Sequence, residues 1–192
     1  MKRFILASAS PRRKEILENA GFDFEIIVSD VDENITEDLS PSETVEELAK
    51  RKALAVWEEN KDAVVFGCDT VVAVDGKILG KPRDDDEAFD MIKMLSGKAH
   101  TVSTGVCICA SDKISVFSNT TNVEFYPLSD ETIRSYVATG ESRDKAGAYG
   151  IQGYGSVLIK EIKGDYFSVM GLPVSESSRV LADFGIYGKV RV

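Results

Sequence analysis

The chain has 192 residues, 43% of them hydrophobic, with a formal net charge of −9 and a sequence pI near 4.8. This length can bury a core as one domain or two small lobes. The acidic balance argues against coating polymeric nucleic acid or an anionic membrane, whose charge it would repel. Given that repulsion, any anion it binds is small and met by a local cationic pocket; separately, no apolar run approaches the roughly 20 residues of a membrane span.

The opening Met-Lys-Arg-Phe-Ile-Leu is too short in apolar residues for a signal peptide and reads as a first strand, "RFILAS". A helix follows from Ser10, with Pro11 at its first position, Ile16, Leu17 and Ala20 on one stripe, and Gly21 to close it. "FEIIVS" reads as a second strand running into the acidic loop "DVDENITEDL". A long helix starts at "SPSE", a capping box with Ser40 as cap, Pro41 and Glu43. "AVVFGCDTVVAVDGKILGKP" is a buried strand turning through Asp75-Gly76 into a hairpin. "DDDEAFDMIKMLSG" is a helix with acidic residues where the dipole favours them. Residues 99–110 and 114–126 read as long strands, and Ser129 to Gly140 as a short capped helix. A glycine-rich loop comes next, then strands at 156–162 and 166–169 and a closing helix at about 175–184. Interleaved helices, strands and hairpins indicate an α/β fold with a mixed sheet.

Three cysteines, Cys68, Cys107 and Cys109, and one histidine, His100, lack the spacing of a zinc site. The cysteines read as buried thiols in a protein of the cytosol.

Six features are able to carry chemistry. Arg12, Arg13 and Lys14 crowd a helix start that already has positive dipole character. Backbone N–H groups and guanidinium groups there suit a phosphate or carboxylate; the bland alternative is pairing with the acidic surface. Lys52 falls on the apolar stripe of the long helix with Val45, Leu48, Ala49, Ala53 and Val56. It either snorkels to the rim or points its ammonium into a cleft. Asp69, followed by Thr70, sits inside an apolar strand, where a carboxylate is costly unless a cation or metal meets it. Such a setting also makes a general base. Asp30, Asp32 and Glu33 are oxygen donors of the kind magnesium or manganese takes, and equally an ordinary solvated loop. "GKP" places Lys81 between a flexible and a rigid residue. "DKAGAYGIQGYGS" permits close backbone approach to a ligand, with Tyr149 and Gln152 able to read a flat polar ring; a sharp bend between strands would use the same glycines.

Taken in order, "LASASPRR", "DVDE", "LAKRKA", "CDTVV", "GKP", "LSGKAHTV", "DKAGAYGIQG" and "GDYFSVMGLP" closely resemble the Maf family of nucleoside triphosphate pyrophosphatases, over nearly the whole chain. The resemblance implies one domain over residues 1–192, an elongated mixed sheet with flanking helices, and two lobes around a central cleft, as in inosine triphosphate pyrophosphatases. It implies hydrolysis of a nucleoside triphosphate to monophosphate and pyrophosphate with a divalent cation, Mg2+ or Mn2+. Asp69 is then the proton acceptor and, with Glu33, the metal holder. Arg12, Arg13, Lys52, Lys81 and Ser8 meet the phosphates. Arg12, Thr70 and Gln152 match the subgroup acting on dTTP and UTP, whereas the sister group favouring 7-methyl-GTP carries an aromatic, a Gln and a Glu there. Cys68 departs from the Ala, Gly or Ser usual before the aspartate. A role in nucleotide-pool cleansing or division arrest follows, and the family leaves a homodimer open. Two other readings are a nucleotide-binding regulator of septum formation without essential catalysis, and an inosine or xanthosine triphosphate pyrophosphatase.

Overall fold

Local chemistry sets most element boundaries. The computed structural model describes residues 2–35 and 38–192; Thr36 and Glu37 of the acidic loop lie outside the described residues. Strand β1 (Arg3–Leu6) leads to helix α1 (Pro11–Asn19), whose cap Ser10 accepts the Arg13 amide at 3.4 Å. β2 is only Glu25–Ile26, shorter than the predicted strand. It pairs β1 alone and leaves Ile26 and Val28 exposed, as suits the edge of a sheet. Helix α2 (Pro41–Glu58) begins with the predicted reciprocal capping box between Ser40 and Glu43.

β3 (Ala63–Val74) and β4 (Lys77–Leu79) form the expected hairpin, with positive φ at Asp75 (50°) and Gly76 (76°). That pair of angles suits a two-residue turn between right-twisted strands. α3 (Asp85–Leu95) is capped by Asp84 and carries three acidic residues in its first turn. β5 (Ala99–Cys109) and β6 (Ile114–Phe125) are joined by a turn closed from Ala110 N–H to the Lys113 carbonyl at 2.8 Å. α4 (Asp130–Val137) follows its Ser129 cap.

Two predicted strands are corrected. Gly153–Leu158 is a 3₁₀ turn, and only Ile159–Lys163 (β7) is strand. Tyr166–Met170 is a short helix, α5, because Asp165 Oδ1 accepts the Phe167 amide at 2.8 Å and caps it. α6 (Val174–Asp183) ends the regular structure as predicted. The mixed sheet has seven strands in the order β2-β1-β3-β5-β6-β7, with β4 on β3. β1 is parallel to both β2 and β3, whereas β6 and β7 are antiparallel.

The chain forms two compact units. The first comprises the residues up to Asp69, Thr104–Asn119 and Gly171–Val192. One of its cores packs Ile5, Ala49, Ala53, Val56, Val65 and Cys107. The second comprises Thr70–Ser103 and Thr120–Met170, around Val72, Leu79, Ile92, Phe125, Ile133 and Tyr149.

Small residues decide how α2 meets the sheet in the first unit. A Cβ on Gly67 of β3 would lie 2.3 Å from the Ala49 carbonyl oxygen, and one on Gly105 of β5 at 2.3 Å from the Val45 carbonyl. Bare glycine therefore lets the helix backbone press onto β3 and β5. This close seat governs the height of every side chain on that helix face, Lys52 included.

Candidate active site

At the end of β1, Ser8 is buried and accepts two hydrogen bonds on Oγ, from the Ser10 amide at 3.2 Å and from Arg13 Nη1 at 3.1 Å. Both use Ser8 as acceptor, which leaves its own O–H as a donor. Arg13 Nε donates to the Gly171 carbonyl at 2.9 Å, so its planar fork is pinned at two edges. Arg12 is half-buried in the same first turn. Lys14 follows the bland alternative, pairing with Glu18 at 3.7 Å along the exposed face. The three crowded cations therefore part company: Arg13 turns to Ser8 and the Gly171 carbonyl, Lys14 to Glu18, and the Arg13 amide is taken by the Ser10 cap.

Cys68 closes the next link. Its thiol donates to the same Gly171 carbonyl at 3.0 Å, and burial pushes its pKa up to about 11. It is a neutral donor that shares the Gly171 carbonyl with Arg13. The departure noted at this position is accommodated by that hydrogen bond.

Asp69 is 8% exposed, in the otherwise apolar run of β3. Its Oδ1 accepts Lys52 Nζ at 2.6 Å, and the same ammonium lies 2.8 Å from Glu33 Oε1. Lys52 therefore does not snorkel. Its stem lies on the helix stripe and its head joins two carboxylates, which compensates the cost of burying Asp69.

Arg51 holds the loop bearing Glu33. Its Nη1 donates to the carbonyls of Asp32 at 3.3 Å and Asn34 at 3.0 Å, while Nε pairs with Glu47 at 2.8 Å. Asp32 itself is engaged locally, accepting the amide and side chain of Asn34 at 2.9 and 2.7 Å.

The oxygens of Glu33 and Asp69 lie no further apart than two short hydrogen bonds to one ammonium. Among the described residues no group of three or more His, Cys, Asp or Glu is placed to hold an ion. A hard cation that takes one or two carboxylates and completes its shell with water and substrate phosphate fits this pair; a zinc cage does not.

A family model described as Maf-like protein matches residues 3–184. The chain belongs to the Maf family. Its relatives include a dTTP/UTP pyrophosphatase of Bacillus cereus, 53% identical over 186 residues that cover 97% of this chain and 97% of the relative. Proteins of the same name from Bacillus anthracis and Bacillus velezensis are 53% and 51% identical, covering 97% and 96% of this chain and 97% and 98% of their own.

The remaining candidate substrate residues singled out from the sequence lie in the second unit. Thr70 is half-buried and follows Asp69 in β3, Lys81 is exposed just after β4, and Gln152 is half-buried in the glycine-rich loop. Sequence reasoning missed Arg51, Gly67, Gly105 and Gly171. The signal for Gly67 and Gly105 was a lone glycine within each strand pattern, a sign of close backbone approach. Arg51 and Gly171 carried no such mark. His100, bland in the sequence, is buried against Tyr149 Oη at 2.8 Å, and burial draws its pKa down to about 4.

Proposed function

We propose that this Maf protein hydrolyses dTTP and UTP between the α- and β-phosphorus atoms, giving the monophosphate and pyrophosphate. The observation that carries the chemistry is the partly buried Lys52–Asp69 pair with Glu33 on the same ammonium. The substrate class is supported by the relatives named dTTP/UTP pyrophosphatase, matched end to end.

In this reading Arg12, Arg13 and the α1 N-terminus take the negative charge of the polyphosphate, and Ser8 donates its O–H to a phosphate oxygen. Lys52 fixes Asp69 through Oδ1, so Oδ2 is the oxygen that orients water and takes its proton. The water oxygen forms the new bond to the α-phosphorus, the bond to the bridging oxygen breaks, and pyrophosphate leaves with the electron pair. Most of the acceleration comes from positioning and charge neutralisation. A divalent cation, Mg2+ or Mn2+, held by Glu33 and Asp69, would supply further charge neutralisation at the phosphate oxygens. Thr70, Lys81 and Gln152 enter as substrate and specificity residues on the strength of their motifs. A homodimer rests on the family alone. The three free, buried cysteines accord with a cytosolic setting. No helix among the described residues is long and apolar enough to cross a membrane.

The test is the purified chain with dTTP, UTP, CTP, GTP, ITP and XTP, with and without Mg2+. Cation-dependent release of pyrophosphate and monophosphate, fastest from dTTP and UTP, is expected. Tight binding of UTP without turnover would replace the enzyme by a regulator, and a preference for ITP or XTP would overturn the pyrimidine assignment.

A further inference from the structure

The second unit contains a polar network that the proposed chemistry does not use. Glu141 lies just after α4, and its carboxylate reaches the far side of the glycine-rich loop. Oε2 accepts the Tyr154 amide at 2.8 Å, and Oε1 accepts the Gly155 amide at 3.0 Å. Oε1 also accepts the Tyr136 hydroxyl at 3.1 Å, and that hydroxyl in turn accepts the buried Gly150 amide at 3.1 Å. Burial pushes the Tyr136 phenol up, so it keeps the proton it gives to Glu141. The Glu141 carbonyl is itself held by Lys145 Nζ at 2.6 Å.

Two features make this more than surface pairing. The amides of Tyr154 and Gly155 open the 3₁₀ turn at Gly153–Leu158, whose own preceding residue Gln152 caps nothing with its side chain. A carboxylate from elsewhere therefore satisfies amides that the turn leaves open. The loop is also shaped to the carboxylate. A Cβ on Gly153 would lie 2.3 Å from Glu141 Oε2, and Gly153 has a φ of +65°. A Cβ on Gly155 would lie 2.2 Å from the Gly150 carbonyl oxygen. Gln152 stands between amides clamped at position 150 and at positions 154 and 155.

We propose that Glu141 and Tyr136 form a latch that sets the position of Gln152, and so act as positioning residues for selection of the nucleobase. This rests on the assignment of Gln152 to base reading made above. Neither residue belongs to the phosphate-binding or proton-accepting set proposed above. Loosening the latch therefore blurs the choice of base and weakens binding while sparing the chemical step.

The test uses Glu141→Gln, Tyr136→Phe and Gln152→Ala, each compared with the wild type for kcat/KM on UTP against CTP. These substrates differ on the ring edge that a side-chain amide can read. Glu141→Gln turns an acceptor into an N–H2 group facing a backbone N–H, and Tyr136→Phe deletes the relay with little change in shape. Both are expected to lower the UTP/CTP preference about tenfold, through KM, with kcat within about threefold. Amide hydrogen exchange at Gly150, Tyr154 and Gly155 is expected to speed up in both. Unchanged exchange, or an unchanged preference in both variants while Gln152→Ala loses it, overturns the latch. If Gln152→Ala keeps the full preference, base reading by Gln152 falls and takes the specificity claim with it. Tyr136→Phe keeps the test open if Glu141→Gln fails to fold.

Discussion

Replacing Lys52 by Met keeps an unbranched apolar stem on α2 and removes the ammonium that joins Asp69 to Glu33. The structure separates the two contacts. With Asp69 the distance is 2.6 Å and both side chains are 12% exposed, whereas Glu33, at 2.8 Å, is 61% exposed. A charge-assisted hydrogen bond shielded from water is worth about 1.5–3 kcal/mol, and an ion pair open to solvent about 0–1. A double-mutant cycle of Lys52→Met with Asp69→Asn is therefore expected to give a coupling energy of about 2 kcal/mol, and the cycle with Glu33→Gln less than about 1. Urea unfolding of the wild type and the single and double variants measures both. Turnover of UTP by Lys52→Met is expected to fall at least about 100-fold, because Asp69 loses the group that orients it. Coupling to Asp69 below about 0.5 kcal/mol, or weaker than coupling to Glu33, would refute the view that Lys52 is the partner that makes Asp69 tolerable in the strand.

Three further outcomes follow from the same geometry. Gly67→Ala sets a methyl against the Ala49 carbonyl, so it is expected to destabilise the protein by about 1–3 kcal/mol and to lower turnover by lifting Lys52 from Asp69; unchanged stability in urea would contradict the close seat of α2. Arg13→Lys keeps the charge but cannot span the Gly171 carbonyl and Ser8 Oγ, so KM for UTP is expected to rise about tenfold; steady-state kinetics indistinguishable from wild type would contradict the pinned fork. His100 falls from an ordinary pKa of 6.5 to about 4 by burial, so the unfolded chain takes up the proton first as the pH drops. Stability from this group is whole at pH 7 and is lost as the pH falls from 6.5 towards 4, by about 3 kcal/mol in all. His100→Gln removes that slope, and equal slopes between pH 7 and 5 in the two proteins would contradict it.

Caps and turns were legible because they are local. Ser10, Ser40 and Ser129 each hold the amide three residues on, and Asp75-Gly76 takes the two positive φ angles its composition suggests. "DYFSVM" misled because aromatic and β-branched residues favour strands, yet Asp165 caps the Phe167 amide and the segment winds into helix. The site was half legible. Asp69 betrayed itself by being a charge in an apolar strand. The destination of Lys52 was open from the helix alone, since the helix pattern does not encode a partner 17 positions away. The same holds for Gly171, which is 158 positions from the guanidinium it fixes. Lys14 carried the same local signal as Arg13 and went to Glu18, an alternative that only packing decides.

The most direct test concerns Asp69 and water. Asp69→Asn preserves shape and removes a single charge, so it is expected to bind UTP with Mg2+ within about tenfold of wild type and to stay folded in a thermal melt. Single-turnover release of UMP and pyrophosphate is expected to slow by about 10³-fold or more, as the loss of a positioned proton acceptor requires. Release at the wild-type rate from the folded variant would contradict the assignment of Asp69 and the site built around it.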